Sequence, residues 1–151
     1  MTGALSMRAT LAARGLDVEI SLAPGEHVAV LGPNGAGKST VLGLVSGLLR
    51  PDSGRAELDG RVLFDEHRWV PPHARGVTLL AQDPLLFPHL SVRDNVAFGP
   101  RASGLGARAA RDIAQEFLTE VDAAEFADRK PAQLSGGQAQ RVAIARALAA
   151  R

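Results

Sequence analysis

One short segment constrains the fold of this chain more than any other: residues 32–39 read G-P-N-G-A-G-K-S. They match the pattern G-x-x-x-x-G-K-[ST] without a departure. Glycines allow successive backbone N–H groups to converge on phosphate oxygens, and a following helix directs its positive end at the same anion. The segment therefore predicts a phosphate-binding loop in an α/β fold, with a buried strand at residues 27–31 before it and a helix at residues 39–49 after it.

The residue types also predict roles within this loop. We expect Lys38 to reach the β- and γ-phosphates, the Ser39 hydroxyl to ligate Mg²⁺, and Thr40 to contact the α-phosphate. The predicted nucleotide-binding residues of the loop are Gly32, Pro33, Asn34, Gly35, Ala36, Gly37, Lys38, Ser39 and Thr40. Kinases, GTPases, helicases and transporters share this pattern, so the loop alone does not specify what is done with the nucleotide.

Composition excludes several classes of protein. The chain has 151 residues, about one domain, with 46% apolar and 22% charged residues, which is typical of a globular protein and not of a disordered one. The absence of cysteine excludes disulfide frameworks, thiolate metal sites and cysteine nucleophiles. A net charge of +1 with mixed signs argues against nucleic acid as a partner. The first residues lack the apolar segment of a secretory signal, so we expect a cytoplasmic location.

Apolar periodicity predicts the other elements. Residues 16–22 alternate as a half-buried strand, residues 56–58 and 62–64 predict a hairpin, and residues 77–81 predict a second buried strand. Further helices are predicted from a Ser91 cap through Phe98, at residues 107–121, at residues 123–127, and from Ser135 onward. The last helical pattern reaches Arg151 without a stop signal, so we expect a C-terminally truncated chain.

A second motif, Leu134-Ser135-Gly136-Gly137-Gln138, narrows the function. Ser135 can cap the following helix, and the two glycines let a phosphate approach the backbone. The chain then has two anion-binding surfaces. With the complete L-S-G-G-Q signature, it resembles the ATP-binding cassette (ABC) transporter family. The resemblance implies that Ser135, Gly136, Gly137 and Gln138 contact the γ-phosphate of ATP held by the phosphate loop of a second, identical subunit, in a head-to-tail dimer.

The resemblance extends to the segment between the two motifs. Gln82 follows the predicted strand where the family has its Q-loop, which implies that Gln82, together with Lys38, has a catalytic role and, together with Ser39, contacts Mg²⁺. An ordinary polar residue at the end of a strand is the alternative. Residues 84–98 resemble the segment with which importer ATPases bind an integral-membrane permease. Burial of its apolar residues under a helical region is the other interpretation.

The family implies a P-loop NTPase (RecA-like) α/β core with a small antiparallel β-subdomain, a helical subdomain and, here, an incomplete sheet. Residues 1–151 would form an incomplete nucleotide-binding domain, with a β-rich part at about 1–82 and the helical subdomain at about 91–151. The stretches 16–26, 82–100 and 127–148 are most similar to the ATP-binding subunits of molybdate importers. This implies an energy-coupling ATPase at the cytoplasmic face of the membrane, with ATP and Mg²⁺ as cofactors and a solute-binding protein as an indirect partner.

The chain departs from the family in two ways. It has no Tyr to stack on adenine, and Arg14 is the substitute we consider. It also lacks the strand ending in Asp-Glu and the later His that serve hydrolysis, so we expect the 151-residue chain to be inactive and unstable alone. Two alternatives remain: a binding-only truncated cassette without turnover, and a non-transport ABC ATPase acting on DNA or the ribosome. Residues 134–138 exclude a small-molecule kinase.

Overall fold

The computed structural model describes residues 4–150. The chain divides into two compact units, Met1–Val77 and Thr78–Arg151. The first unit is built on an antiparallel sheet and the second on helices. Within the described range, every helix is too short or too polar to cross a membrane.

The first unit contains a four-stranded antiparallel sheet in the order β2-β1-β3-β4. Its elements are β1 (Leu5–Leu11), β2 (Leu16–Leu22), helix α1 (Lys38–Ser46), β3 (Ser53–Leu58) and β4 (Arg61–Phe64). Strand β1 is central, and Met7 lies opposite both Ile20 of β2 and Ala56 of β3. The side chains buried between the sheet and α1 include Met7, Ala9, Leu44, Ala56, Leu63 and Phe64.

The sequence predicted most of this sheet. Strand β2 and the β3–β4 hairpin are confirmed, and Asp59 and Gly60 form the turn with positive φ at both positions, as a two-residue hairpin requires. Strand β1 was not predicted, although its alternation was visible: Leu5, Met7, Ala9 and Leu11 all point into the core. The α/β composition and the open sheet are confirmed.

The two strands predicted to be fully buried, residues 27–31 and 77–81, are wrong. Within residues 4–150, neither segment pairs with a strand. Leu31 is 88% exposed, and Leu80 is 45% exposed. The physical reason is that an apolar run becomes a central parallel strand only when neighbours hydrogen-bond to it on both edges and cover both faces. The described residues provide no such neighbours, so these runs form no strand and are largely exposed.

The second unit is a cluster of helices. They are α2 (Val92–Val96), α3 (Phe98–Ala102), α4 (Ala107–Glu120) and α5 (Gly136–Ala149). The core between α2, α4 and α5 consists mainly of small and branched side chains, among them Val92, Val96, Ala110, Ala114, Leu118, Val142 and Ala145. Helices α4 and α5 pack tightly against each other, because the alanine side chains let the two helices approach closely.

Helices α4 and α5 confirm the predictions at residues 107–121 and from Ser135. The helix predicted from Ser91 through Phe98 is instead two short helices, α2 and α3, which meet at Ala97. The predicted cap is correct, because the Ser91 Oγ accepts a hydrogen bond from the Asp94 amide at 3.1 Å. The short helix predicted at residues 123–127 is a single 3₁₀ turn, Ala124–Phe126.

Candidate nucleotide-binding site

The phosphate loop lies in the first unit and leads directly into α1. Gly37, the residue before the helix, has a φ of +88°, and a Cβ atom there would approach Leu16 Cδ1 to 2.9 Å. The positive φ therefore favours glycine here, and a larger residue would also displace the end of the Leu16 side chain. No side chain caps this end of α1. Among the described residues, the amides of Lys38, Ser39 and Thr40 have no hydrogen-bond acceptor, so they remain available to an anion.

Lys38 bonds back to the start of its own loop. Its Nζ donates to the Gly32 carbonyl at 2.8 Å and to the Pro33 carbonyl at 2.7 Å. These contacts hold the ammonium group against the first two residues of the loop. A bound phosphate would exchange neutral carbonyl acceptors for charged oxygens, which make stronger bonds to an ammonium group.

Thr40 and Ser39 differ in their surroundings. Thr40 is buried, and its Oγ1 accepts a hydrogen bond from Arg14 Nη1 at 3.2 Å. Arg14, which we considered as an adenine-stacking residue, is thus placed at the first turn of α1. Ser39 is exposed at the same turn. Its hydroxyl is a hard oxygen ligand, and Mg²⁺ in nucleotide sites uses one or two protein ligands besides phosphate and water, so the residues present fit the ion.

The L-S-G-G-Q segment lies in the second unit at the start of α5. Ser135 Oγ accepts from the Gln138 amide at 3.3 Å, and Gln138 Oε1 accepts from the Ser135 amide at 2.8 Å. This reciprocal pair is a capping box, which stabilises the first turn. Gly136 and Gly137 are exposed, and a Cβ atom built on either would meet nothing within 4 Å. The helix therefore presents an open backbone surface to solvent.

Gln82 and the segment after it also lie in the second unit. Gln82 is exposed in a bend. The following loop is fixed by side chains from two helices. Asn95 of α2 is fully buried, and its amide group accepts from the Phe87 amide and donates to the carbonyls of Phe87 and Ser91. Arg146 of α5 donates to the carbonyls of Pro84 and Leu85 at 2.9 and 2.8 Å. Helix α5 thus connects the signature segment to this loop within one unit.

The apolar residues of the loop divide between the two interpretations given above. Leu86 packs against the helical core, whereas Leu85 is 68% exposed. Leu85 also has a φ of +45°, a left-handed conformation that is strained for leucine. Phe87 packs against Phe98 with the rings tilted by 44° and their centroids 4.7 Å apart. Beside them lies an apolar cavity of about 320 Å³, to which Leu79 contributes.

Sequence reasoning predicted the helices that begin at Lys38 and Gly136, and their anion-binding role stays a prediction. It missed the groups that support these two segments. Arg14, Asn95 and Arg146 act through hydrogen bonds to distant backbone or hydroxyl groups, and arginine and asparagine are ordinary surface residues in a sequence pattern. Burial lowers the pKa of Arg146, since desolvation disfavours its charged form. Only a three-dimensional structure provides this information.

Comparison with known proteins gives a consistent assignment. The family described as ABC transporter matches residues 16–151. The molybdenum import ATP-binding protein ModC of Mycobacterium tuberculosis (strain H37Rv) is 60% identical over 152 residues, covering 97% of this chain and 41% of that protein.

Two further relatives are named for the import of other solutes. The Fe(3+) ions import ATP-binding protein FbpC of Mesorhizobium japonicum is 46% identical over 132 residues, covering 87% of this chain and 36% of that protein. The spermidine/putrescine import ATP-binding protein PotA of Frankia alni is 47% identical over 131 residues, covering 87% and 27%. The chain spans about two fifths or less of the length of these relatives. The match over residues 16–151 shows that this chain belongs to the ABC transporter family, and the expected P-loop NTPase fold class is thereby confirmed.

Proposed function

We propose that this chain binds ATP through residues 32–40 as the nucleotide-binding part of an importer. The observation that carries the proposal is the loop itself: Lys38 Nζ bonds the Gly32 and Pro33 carbonyls, and three amides at the start of α1 have no acceptor among the described residues. A polyanion at this point would accept hydrogen bonds from those amides and from Lys38. It would also interact favourably with the positive end of the helix.

The chemical roles follow from these groups. Lys38 binds the β- and γ-phosphates, Thr40 contacts the α-phosphate, and Ser39 supplies an oxygen ligand to Mg²⁺. When bound, Mg²⁺ would supply positive charge to offset that of the phosphate oxygens, and Ser39 would hold it through its hydroxyl. Gln82 is the second proposed Mg²⁺ contact and senses the γ-phosphate. The loop set of the proposal comprises Gly32, Pro33, Asn34, Gly35, Ala36, Gly37, Lys38, Ser39 and Thr40.

The second half of the site is proposed to come from another copy of the chain. The γ-phosphate held by the partner's phosphate loop would be contacted by Ser135, Gly136, Gly137 and Gln138. Two ATP molecules would then lie between the two copies of a head-to-tail dimer. The open backbone at Gly136 and Gly137 supports this proposal, because it leaves room for a phosphate. In a symmetric dimer, one such contact implies a second, equivalent one.

The transported solute is proposed to be molybdate or a related oxyanion. The support is the 60% identity to a molybdenum importer subunit, against 46% and 47% for the iron and polyamine relatives. The protein would lie peripherally at the cytoplasmic face of the membrane and couple ATP hydrolysis to a permease, with a solute-binding protein as an indirect partner. Its nucleotide-binding domain would have a β-rich part at about 1–82 and a helical part at about 91–151.

Residues 84–98 are the proposed docking segment for the permease. Leu85 is exposed and strained, while the hydrogen bonds from Asn95 and Arg146 fix the backbone around it. A rigid loop that exposes a large apolar side chain is suited to bind a second protein, because little conformational entropy is lost on binding.

The two lysines of the chain allow a matched test of ATP binding. We expect Lys38→Met to weaken ATP binding about tenfold or more, because bonds from a charged donor are worth about 1.5–3 kcal/mol. Lys130→Met removes the same charge from the other unit, where Lys130 Nζ bonds the His89 carbonyl, and should leave ATP affinity unchanged. Calorimetric titration of ATP measures both. Equal affinity of the Lys38 variant and the wild type would refute the assignment of the loop.

The solute requires a separate experiment. Cells in which the gene is deleted should lose energy-dependent uptake of molybdate and regain it when the gene is restored. Uptake of iron(III) and of spermidine serves as the control. Loss of either of those with normal molybdate uptake would contradict the proposed substrate and leave the ATP site unaffected.

A further inference from the structure

Arg75 is the largest fully buried side chain of the first unit, and the proposed nucleotide chemistry does not use it. Only 1% of its surface is exposed. No carboxylate of the described residues forms an ion pair with it. Burying a guanidinium group is costly, so it remains only where hydrogen bonds and other contacts offset its desolvation. Burial lowers the pKa of Arg75, yet arginine keeps its charge in proteins.

The hydrogen bonds of Arg75 lead to the C-terminal end of α1. Nη1 donates to the carbonyl of Leu44 at 2.7 Å and to that of Val45 at 3.1 Å. These carbonyls belong to the last turn of the helix, which carries the negative end of the helix dipole. Nε donates to the Val70 carbonyl at 2.8 Å, and Val70 in turn bonds Leu63 of β4 through its amide. Arg75 therefore links α1 to the edge of the sheet.

The surroundings are shaped to admit this side chain. Gly47 ends α1 with a φ of +82°, and a Cβ atom there would lie only 2.5 Å from Arg75 Nε. The guanidinium carbon lies 4.3 Å from the ring centroid of Trp69 and 5.7 Å from that of Phe64. Nη2 is a buried nitrogen without a hydrogen-bond partner among the described residues. The attraction between the indole face and the positive charge offsets the free-energy cost of burying it.

We propose that Arg75 is a positioning residue for the nucleotide site. Arg75 holds α1 at its C-terminal end, and through it ATP binding at the phosphate loop changes the surroundings of the Trp69 indole, an effect called the relay below. The proposal rests on ATP binding at residues 32–40. Helix α1 has nine residues and spans about 13 Å, so its two ends move together. The buried Arg75 cation also attracts a phosphate at the other end of the helix, because charges interact more strongly across the protein interior than across water.

The first measurement needs no nucleotide. In the full-length protein made from its own gene, we expect Arg75→Met to speed amide exchange at Gly47 and Leu49. These amides bond to the Leu44 and Gly43 carbonyls at the end of α1. Arg75→Lys keeps a cation and should restore most of the protection. Unchanged exchange in Arg75→Met would overturn the anchoring role.

The second measurement is ATP affinity. Arg75→Met should weaken ATP binding about fivefold, because it removes a buried positive charge one helix length from the phosphates, and Arg75→Lys should recover most of that loss. Leu63→Ala removes a fully buried side chain of the same core without touching α1 through a hydrogen bond, and it serves as the matched control. Its ATP affinity should equal that of the wild type. Equal weakening in Leu63→Ala and Arg75→Met would mean that Arg75 is only a packing residue.

The third measurement is the Trp69 emission, isolated by subtracting the spectrum of Trp69→Phe. ATP should cause a saturable change in the wild type that is absent in Arg75→Met. If the wild type binds ATP without any change in Trp69 emission, the relay is refuted while the proposed function stands. If the wild type binds no ATP, both the proposed function and the relay are refuted.

Discussion

Asn95 offers the most direct test of how the loop at residues 84–90 is held. The side chain is fully buried on α2. Its Oδ1 accepts from the Phe87 amide at 2.7 Å, and its Nδ2 donates to the carbonyls of Phe87 at 3.1 Å and Ser91 at 2.9 Å. A longer contact joins Nδ2 to the Leu90 carbonyl at 3.5 Å. Asn95→Ala removes all of these bonds while leaving α2 with a better helix former.

The structure sets the expected magnitude. Each of the three short bonds is worth about 1 kcal/mol, so opening of this loop should become easier by about 3 kcal/mol. That corresponds to roughly 100-fold faster exchange of the Phe87 amide. Hydrogen exchange followed by mass spectrometry of peptides covering residues 84–96 measures the change, because it reports local opening free energy.

Asp112→Ala on the exposed side of α4 is the control, since surface substitutions usually change stability by less than about 0.5 kcal/mol. The Phe87 amide should exchange at the wild-type rate in this variant. An acceleration of less than about tenfold in Asn95→Ala would refute the claim that the Asn95 side chain holds the loop.

Three further predictions follow from single contacts. Ser135→Ala removes the cap of α5 and should cost about 1 kcal/mol, measured as faster exchange in the first turn of that helix. Arg111 Nε bonds Asp94 and holds the pKa of that carboxyl below its ordinary value of 3.8. The unfolded state therefore binds the proton more readily, so this stabilisation is present above about pH 4 and is lost as pH falls through the lower folded pKa. Acid denaturation of Asp94→Asn should accordingly lack that part of the pH dependence. Arg146→Lys gives up the paired bonds to the loop carbonyls and should speed limited proteolysis at residues 84–90.

Each of these predictions has an outcome that contradicts it. An unchanged first turn of α5 in Ser135→Ala would show that Gln138 and solvent suffice as caps. An Asp94→Asn variant with the wild-type acid transition would assign the pH dependence to other carboxylates. Proteolysis of Arg146→Lys at the wild-type rate would leave Asn95 as the main support of the loop.

Local signals were sufficient where a segment determines its own structure. Strand β2 alternates, the Asp59-Gly60 turn requires positive φ at both positions, and Ser91 and Ser135 cap their own helices. These features depend on neighbours within a few residues. The sequence therefore predicts them without knowledge of the rest of the fold.

Non-local requirements explain the failures. Residues 27–31 have the composition of a buried strand, but a strand also needs partners, and none of the described residues pairs with it. Strand β1 alternates without interruption, but it lies between two other strands, β2 and β3, and its pairing with β3 joins residues far apart in sequence. Arg75 gives no signal at all in the sequence, because nothing local distinguishes a buried arginine from a solvated one.

The proposed site also contains both local features, which the sequence predicts, and non-local ones, which it does not. Gly37, Lys38 and Ser135 were predicted from motifs whose residue types are dictated by phosphate chemistry. The hydrogen bond from Arg14 to Thr40 and the hold of Arg146 on the loop span 26 and 61 residues of sequence, respectively. No periodicity or spacing rule connects residues so far apart.

The central claim is that one ATP is bound by residues 32–40 of one copy and residues 135–138 of another, and mixing two defective variants tests it directly. Lys38→Met and Ser135→Arg should each remove most of the ATP that the wild type retains, because each variant lacks one half of every site. In a mixed dimer, the intact loop of the second variant meets the intact signature of the first. Random pairing makes half of the dimers mixed, each with one complete site of two, so about a quarter of the wild-type amount of retained ATP should return. No recovery in the mixture, with dimers present, would contradict a site shared between copies.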